Sequence, residues 1–71
     1  MEAREWIDAF SAEVGADPPG DEQIDAILKL AAVAAHASER IAAPVACWIA
    51  ATMGISTERA LEIAEGIGPD A

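Results

Sequence analysis

The chain has 71 residues, and 13 Asp and Glu against four Lys and Arg give it a formal net charge of −9. Binding to nucleic acid or to an anionic membrane needs clustered positive charge, so this composition argues against both partners. A single cysteine, Cys47, excludes an internal disulfide and a cysteine-rich metal site. One domain of this size, residues 1–71, has a core that seldom supplies more than about 3–5 kcal/mol, so stability requires efficient packing or a second copy of the chain.

Abundant alanine and few aromatic residues favour helices over strands. The expected fold class is all-α, a compact bundle of about four short helices. The first helix runs from Glu2 to Val14, with apolar residues at helical spacing and acidic residues mostly on the other side. Gly15 suits a left-handed C-terminal cap, and Pro18-Pro19 cannot continue a helix.

The second helix is expected to be the longest, with Asp21 as its N-cap and an end near Arg40. Helical spacing of apolar residues predicts the face that it buries. That face consists of Ile24, Ile27, Leu28, Ala31 and Ala34 or Ala35.

The third helix is predicted to begin at Ala43-Pro44, because proline at the first helical position loses no hydrogen bond. It continues to about Met53 and is apolar all round, which is typical of a central buried helix or of one that also meets a second subunit. Gly54 closes it.

The fourth helix is capped by Ser56 or Thr57. One side is apolar and the other acidic, as expected of a helix that covers a core. Its apolar residues are Ala60, Leu61, Ala64 and Ile67, and the residues that end it are Gly66, Gly68 and Pro69.

His36, Glu39 and Arg40 are spaced i, i+3 and i+4, so within a helix they share one face. If the next helix begins at Pro44, its free N–H groups lie nearby, and the cluster is a candidate contact for a phosphate, a carboxylate or a partner protein. In the alternative interpretation the cluster is structural. Arg40 then satisfies carbonyls at the helix end, Glu39 pairs with it or caps the next helix, and His36 is packed.

No catalytic, cofactor-binding or metal-binding residue is predicted, and the chain is expected not to be an enzyme. The chain has one histidine, and no nucleophile or second acid lies at a sequence spacing that would place it beside this histidine. A single histidine also provides too few ligands for a metal. Cys47, in an apolar helix, is interpreted as an inert small hydrophobe. Trp6 and Trp48 could stack on a ligand or anchor a partner, but core packing is the preferred interpretation for both, with one of them open to partial exposure.

The segment Ile49 to Ser56 is similar to a DNA-binding helix-turn-helix, with glycine in the turn. The reading helix would be Thr57 to Glu65, which offers Arg59 alone among three glutamates that would face phosphates. A sharp helical corner without DNA explains the pattern better.

A cytoplasmic location is expected. Acidic residues interrupt the beginning of the chain, where a secretory signal would need an apolar segment. The longest uncharged stretch, Ile41 to Thr57, contains Pro44 and Gly54 and is marginal in length for crossing a bilayer. The free thiol agrees with a reducing compartment.

The run from Ala35 to Pro44, followed by the apolar stretch to Gly54, resembles a bacterial family of small helical domains of unknown function. Glu5-Trp6 and Val14-Gly15 also fit that family, so the resemblance covers nearly the whole chain. Its members occur alone and as a C-terminal extension of molybdenum cofactor guanylyltransferases. By this resemblance, His36, Glu39, Arg40 and Pro44 are motif positions without an established role.

The chain has no Gly-rich nucleotide loop and no room for a nucleotide-binding fold. The resemblance therefore implies an accessory or docking module of the molybdenum cofactor pathway. The first functional hypothesis is a non-catalytic protein-interaction module that also self-associates. The alternative is a small-anion or nucleotide-binding domain that uses the corner formed by His36 and Arg40.

Overall fold

The computed structural model describes residues 1–68, which form four helices. They are α1 (Ala3–Val14), α2 (Asp21–Ala37), α3 (Ala42–Met53) and α4 (Thr57–Glu65). These residues contain no strand, so the predicted all-α bundle is confirmed. The predicted role of Pro69 in ending the last helix lies outside the described residues.

Glycine ends α1 and α3, as predicted. Gly15 and Gly54 have φ angles of 78° and 71°, in the left-handed region that favours glycine. The N–H of Ile55, the residue after Gly54, donates to the carbonyl of Ala50 at 3.3 Å, as is typical of a left-handed helix cap. The next helix begins at once, because the Ser56 hydroxyl accepts the N–H of Arg59 at 3.1 Å.

The predicted beginning of α2 was wrong by one residue. Gly20 is the N-cap, with extended backbone angles of φ −78° and ψ 173°, and Asp21 is the first helical residue. Glycine is among the residues that N-cap positions accept, and Gly20 caps the helix without a side-chain hydrogen bond. The Asp21 carboxylate still lies at the positive end of the helix dipole.

The predicted junction between α2 and α3 was also wrong. α2 ends at Ala37 instead of Arg40, because Ser38 leaves helical geometry with φ −143° and ψ −102°. The Ser38 hydroxyl donates to the Ala34 carbonyl at 2.8 Å, which satisfies an acceptor that a further turn of helix would have used. α3 begins at Ala42, so Pro44 is its third residue, still within the first turn where proline loses no bond.

The packed unit consists of α2, α3 and α4, with α2 against both of the others. Its buried apolar residues come one from each helix: Leu30 (3% exposed), Ala50 (8%) and Ala60 (7%). Cys47 and Ala64 pack against them. Leu30 is thus the large side chain about which the three helices meet.

The predicted buried face of α2 was right in part. Its residues other than Leu28 are half-buried, namely Ile24, Ile27, Ala31, Ala34 and Ala35. Leu28, predicted to be buried, is 60% exposed, while Leu30 was missed and is the most buried core residue. Periodicity of a single helix finds one apolar stripe, but α2 packs against two neighbours at once, which widens and shifts the face that it buries.

The first helix stands apart from this unit. No Cα atom of α1 lies within 8 Å of a Cα atom in α2, α3 or α4. Its attachment is local: the Arg4 guanidinium donates to the Pro19 carbonyl at 2.6 Å and lies 3.9 Å from the Asp21 carboxylate. Arg4 therefore holds α1 beside the linker that leads into α2.

We expect Leu30→Ala to unfold most of the protein at room temperature. Removing a buried leucine costs about 2–5 kcal/mol, which is comparable to the whole stability of a core this small. Leu28→Ala, two residues away and exposed, is the matched control and should change the free energy of unfolding by less than about 1 kcal/mol. Urea titration followed by helical circular dichroism measures the free energy of unfolding of both variants. Equal losses of stability in the two variants would contradict a core centred on Leu30.

Gly54→Ala should destabilise the protein by about 1 kcal/mol, because the added Cβ is strained at a left-handed φ. Gly66→Ala is the control, since Gly66 has φ −88° and an added Cβ would meet only the Ile63 carbonyl oxygen at 3.5 Å. Both variants restrict the unfolded chain equally, so the difference in urea midpoint isolates the backbone strain.

Candidate interaction surface

A row of exposed side chains runs along α3 on the side opposite its buried residues. Ile41, Val45 and Trp48 are 73%, 53% and 67% exposed. With Thr52 they are spaced at four, three and four residues, the spacing of a helix-packing seam. We call these four residues the α3 stripe. The spacing is readable in the sequence, but only the fold shows that the stripe faces outwards.

The α3 stripe has apolar and uncharged surroundings. Ile49 and Met53, at its edge, are 50% and 69% exposed. No charged residue occurs from Ile41 to Thr57, in a chain whose formal charge is −9. Of the two interpretations of α3, the central buried helix was wrong for this chain alone, and the helix that also meets a second subunit stays a prediction.

A second exposed apolar row lies on α1. It consists of Trp6, Phe10 and Val14, which are 56%, 53% and 59% exposed, and we call it the α1 stripe. The Trp6 and Phe10 rings stack with centroids 5.1 Å apart and planes 11° apart. The prediction that Trp6 and Trp48 belong to the core was wrong. Both are exposed: Trp48 lies on the outer side of α3, and Trp6 lies on a side of α1 that no other helix covers, whereas Ser11 of α1 is buried, at 6% exposed.

The accessible surface of the chain is large for its mass. It measures 5421 Å², whereas a compact monomer of 7.3 kDa exposes about 4,200 Å². The excess is roughly 1,200 Å². The exposed apolar side chains of the two stripes contribute to this excess.

The sequence-predicted cluster of His36, Glu39, Arg40 and Pro44 lies at one end of the α3 stripe, and we call it the polar corner. All four residues are exposed. They do not share a helical face, because Ser38 interrupts the helix between His36 and Glu39. Their side chains make no hydrogen bond or ion pair with each other within residues 1–68.

The beginning of α3 offers few free donors to an anion at this corner. The N–H groups of Ala42 and Ala43 donate to the carbonyls of Glu39 and Arg40 at 3.0 and 3.1 Å, and Pro44 has no N–H. An anion would therefore depend on the His36 and Arg40 side chains, without the helix amides on which the prediction relied. Anion binding at the corner stays a prediction.

Other candidate sites are occupied or incomplete in the described part of the chain. Arg59, the one cation of the helix that resembles a DNA-reading helix, is 2.9 Å from the Glu62 carboxylate. Cys47 packs against the core cluster. Residues 1–68 contain no group of three or more metal-ligating side chains and no helix with the length and apolar character needed to cross a membrane.

These features define a small all-α domain with an uncharged apolar surface beside a polar corner. The chain belongs to the family described as Domain of unknown function (DUF6457), whose model matches residues 1–67. No curated protein and no solved structure matches it. The family match confirms the expected unknown-function family, while the link to molybdenum cofactor guanylyltransferases stays a prediction.

Arg40→Ala tests whether the polar corner is structural. Because Arg40 is exposed and bonds to no other described side chain, the substitution should change the free energy of unfolding by less than about 0.5 kcal/mol. Arg4→Ala is the matched control and should cost about 1 kcal/mol or more, because it loses a charge-assisted bond to Pro19. A cost for Arg40→Ala equal to that of Arg4→Ala would instead support a helix-capping role.

Proposed function

We propose that this chain is a non-catalytic protein-interaction module that works in the cytoplasm. The observation that carries the proposal is the α3 stripe: a helix without charge, half exposed, in a strongly acidic domain. Contiguous exposed apolar surface is costly for a soluble monomer and usually marks a contact with another macromolecule. An exposed tryptophan at its centre is the kind of anchor that dominates binding energy at protein interfaces.

The polar corner adjoins this surface. Ile41, the first residue of the α3 stripe, follows Arg40 directly in the chain and is 73% exposed. Protein interfaces commonly combine an apolar centre with a polar rim, and arginine is enriched in them. The corner therefore supplies the charged edge of the proposed contact surface, with His36 and Glu39 beside Arg40.

The candidate partner follows from the sequence resemblance. Similar domains extend molybdenum cofactor guanylyltransferases, and a domain fused to an enzyme in one protein can bind it as a separate chain in another. The chain has no nucleotide loop of its own. We therefore assign it an accessory role in this pathway, with the transferase as the protein that it contacts at the polar corner.

The test is direct binding to a purified molybdenum cofactor guanylyltransferase that lacks the extension, measured by calorimetry. Arg40→Ala should weaken binding about tenfold, because an interface arginine contributes more than about 1 kcal/mol. Arg59→Ala, which removes an exposed arginine on α4, is the matched control and should leave the affinity unchanged. If the wild-type chain does not bind the transferase, the proposed role in the molybdenum cofactor pathway is wrong.

A further inference from the structure

The α1 and α3 stripes have the features of two halves of one interface. Each lies on a helix of 12 residues, about 18 Å long. Trp6, Phe10 and Val14 are spaced four residues apart, so they lie along one side of α1, as the α3 stripe lies along one side of α3. One stripe carries a stacked aromatic pair, and the other carries no charge along its whole length.

We infer that α1 of one copy packs on the α3 stripe of a second copy, and the reverse, in a two-fold symmetric dimer. This inference rests on the proposed function and deepens it by naming a second copy of the chain as the partner of the apolar surface. A two-fold symmetry operation forms the contact between α1 and the α3 stripe twice.

The accessible surface area of the chain supports a second copy as the partner of the two stripes. A standard interface buries about 800 Å² on each partner, and this chain exposes roughly 1,200 Å² more than a compact monomer of its mass. A reciprocal dimer therefore brings the exposed surface of each chain close to that of an ordinary folded protein.

Charge selects the pairing of unlike stripes. α1 carries Glu5, Asp8 and Glu13 against the single cation Arg4, so two copies of α1 side by side would place two helices of net negative charge together, and these repel each other. α3 contributes no charge, so α1 can pack on it without that cost. Pairing of two α3 stripes would also avoid repulsion, but it would leave Trp6 and Phe10 in water.

The attachment of α1 to the linker favours its packing on a second copy of the chain. Arg4 holds α1 at the linker beside the beginning of α2, through the Pro19 carbonyl and the Asp21 carboxylate. The α3 stripe lies on the side of α3 that faces away from the packed unit, since Cys47 and Ala50 face the core. In the structure, α1 does not approach its own α3.

The test is the mass in solution, by light scattering, of wild type, Phe10→Glu, Trp48→Glu and the control Leu28→Glu. The three side chains that are replaced, Phe10, Trp48 and Leu28, are exposed in the single chain, so each variant should fold, which helical circular dichroism verifies. We expect wild type and Leu28→Glu to be dimers. For Phe10→Glu and for Trp48→Glu, the dissociation constant of the dimer should rise at least about 100-fold.

Mixing Phe10→Glu with Trp48→Glu should restore a dimer, because one of its two interfaces then joins an unchanged α1 to an unchanged α3. If the Phe10→Glu variant forms a dimer in the absence of Trp48→Glu, the interface does not need the α1 stripe. That result would overturn the proposed dimer and would favour pairing of two α3 stripes. Added salt should strengthen the wild-type dimer, since it screens repulsion between two chains of charge −9.

A wild-type monomer would overturn the dimer, and adding the purified guanylyltransferase then separates the two proposals. A complex with the enzyme would leave the proposed function standing while the self-association fails. A monomer that also forms no complex would count against both.

Discussion

The packing of three helices about Leu30 is the constraint on which the rest of this structure depends. α3 and α4 contribute alanines, Ala50 and Ala60, to this contact, so their backbones approach α2 closely and little else is enclosed. A core built from one leucine and small residues buries little apolar surface. The larger side chains of α3, among them Trp48 and Ile41, consequently lie on the outer side of the helix.

Charge and apolar surface are distributed unevenly along the chain. Nine of the 13 acidic residues lie on α1, α2 and α4, whereas α3 and the turn after it carry none. Net charge keeps a domain in solution through mutual repulsion, and an uncharged patch is where that repulsion is weakest. Close contact with another acidic protein is therefore least opposed at the surface around α3.

The polar corner shows how backbone hydrogen bonding decides the chemistry of a site. Its residue types suit an anion, but the first amides of α3 already bond to carbonyls of the preceding turn. Ser38 ends α2 early and separates His36 from Glu39 and Arg40. What remains is an exposed, mixed-charge edge next to an apolar stripe, which is the usual composition of an interface rim.

The sequence by itself determined the helical class, the four elements and the glycine caps at Gly15 and Gly54, because propensity, periodicity and capping are local properties. It also contained the spacing of the α3 stripe. The tertiary structure alone decided that Leu30 instead of Leu28 is buried and that Trp6 and Trp48 face solvent. Which side of an apolar helix is covered depends on the neighbours that pack against it, and a single helix carries no information about their positions.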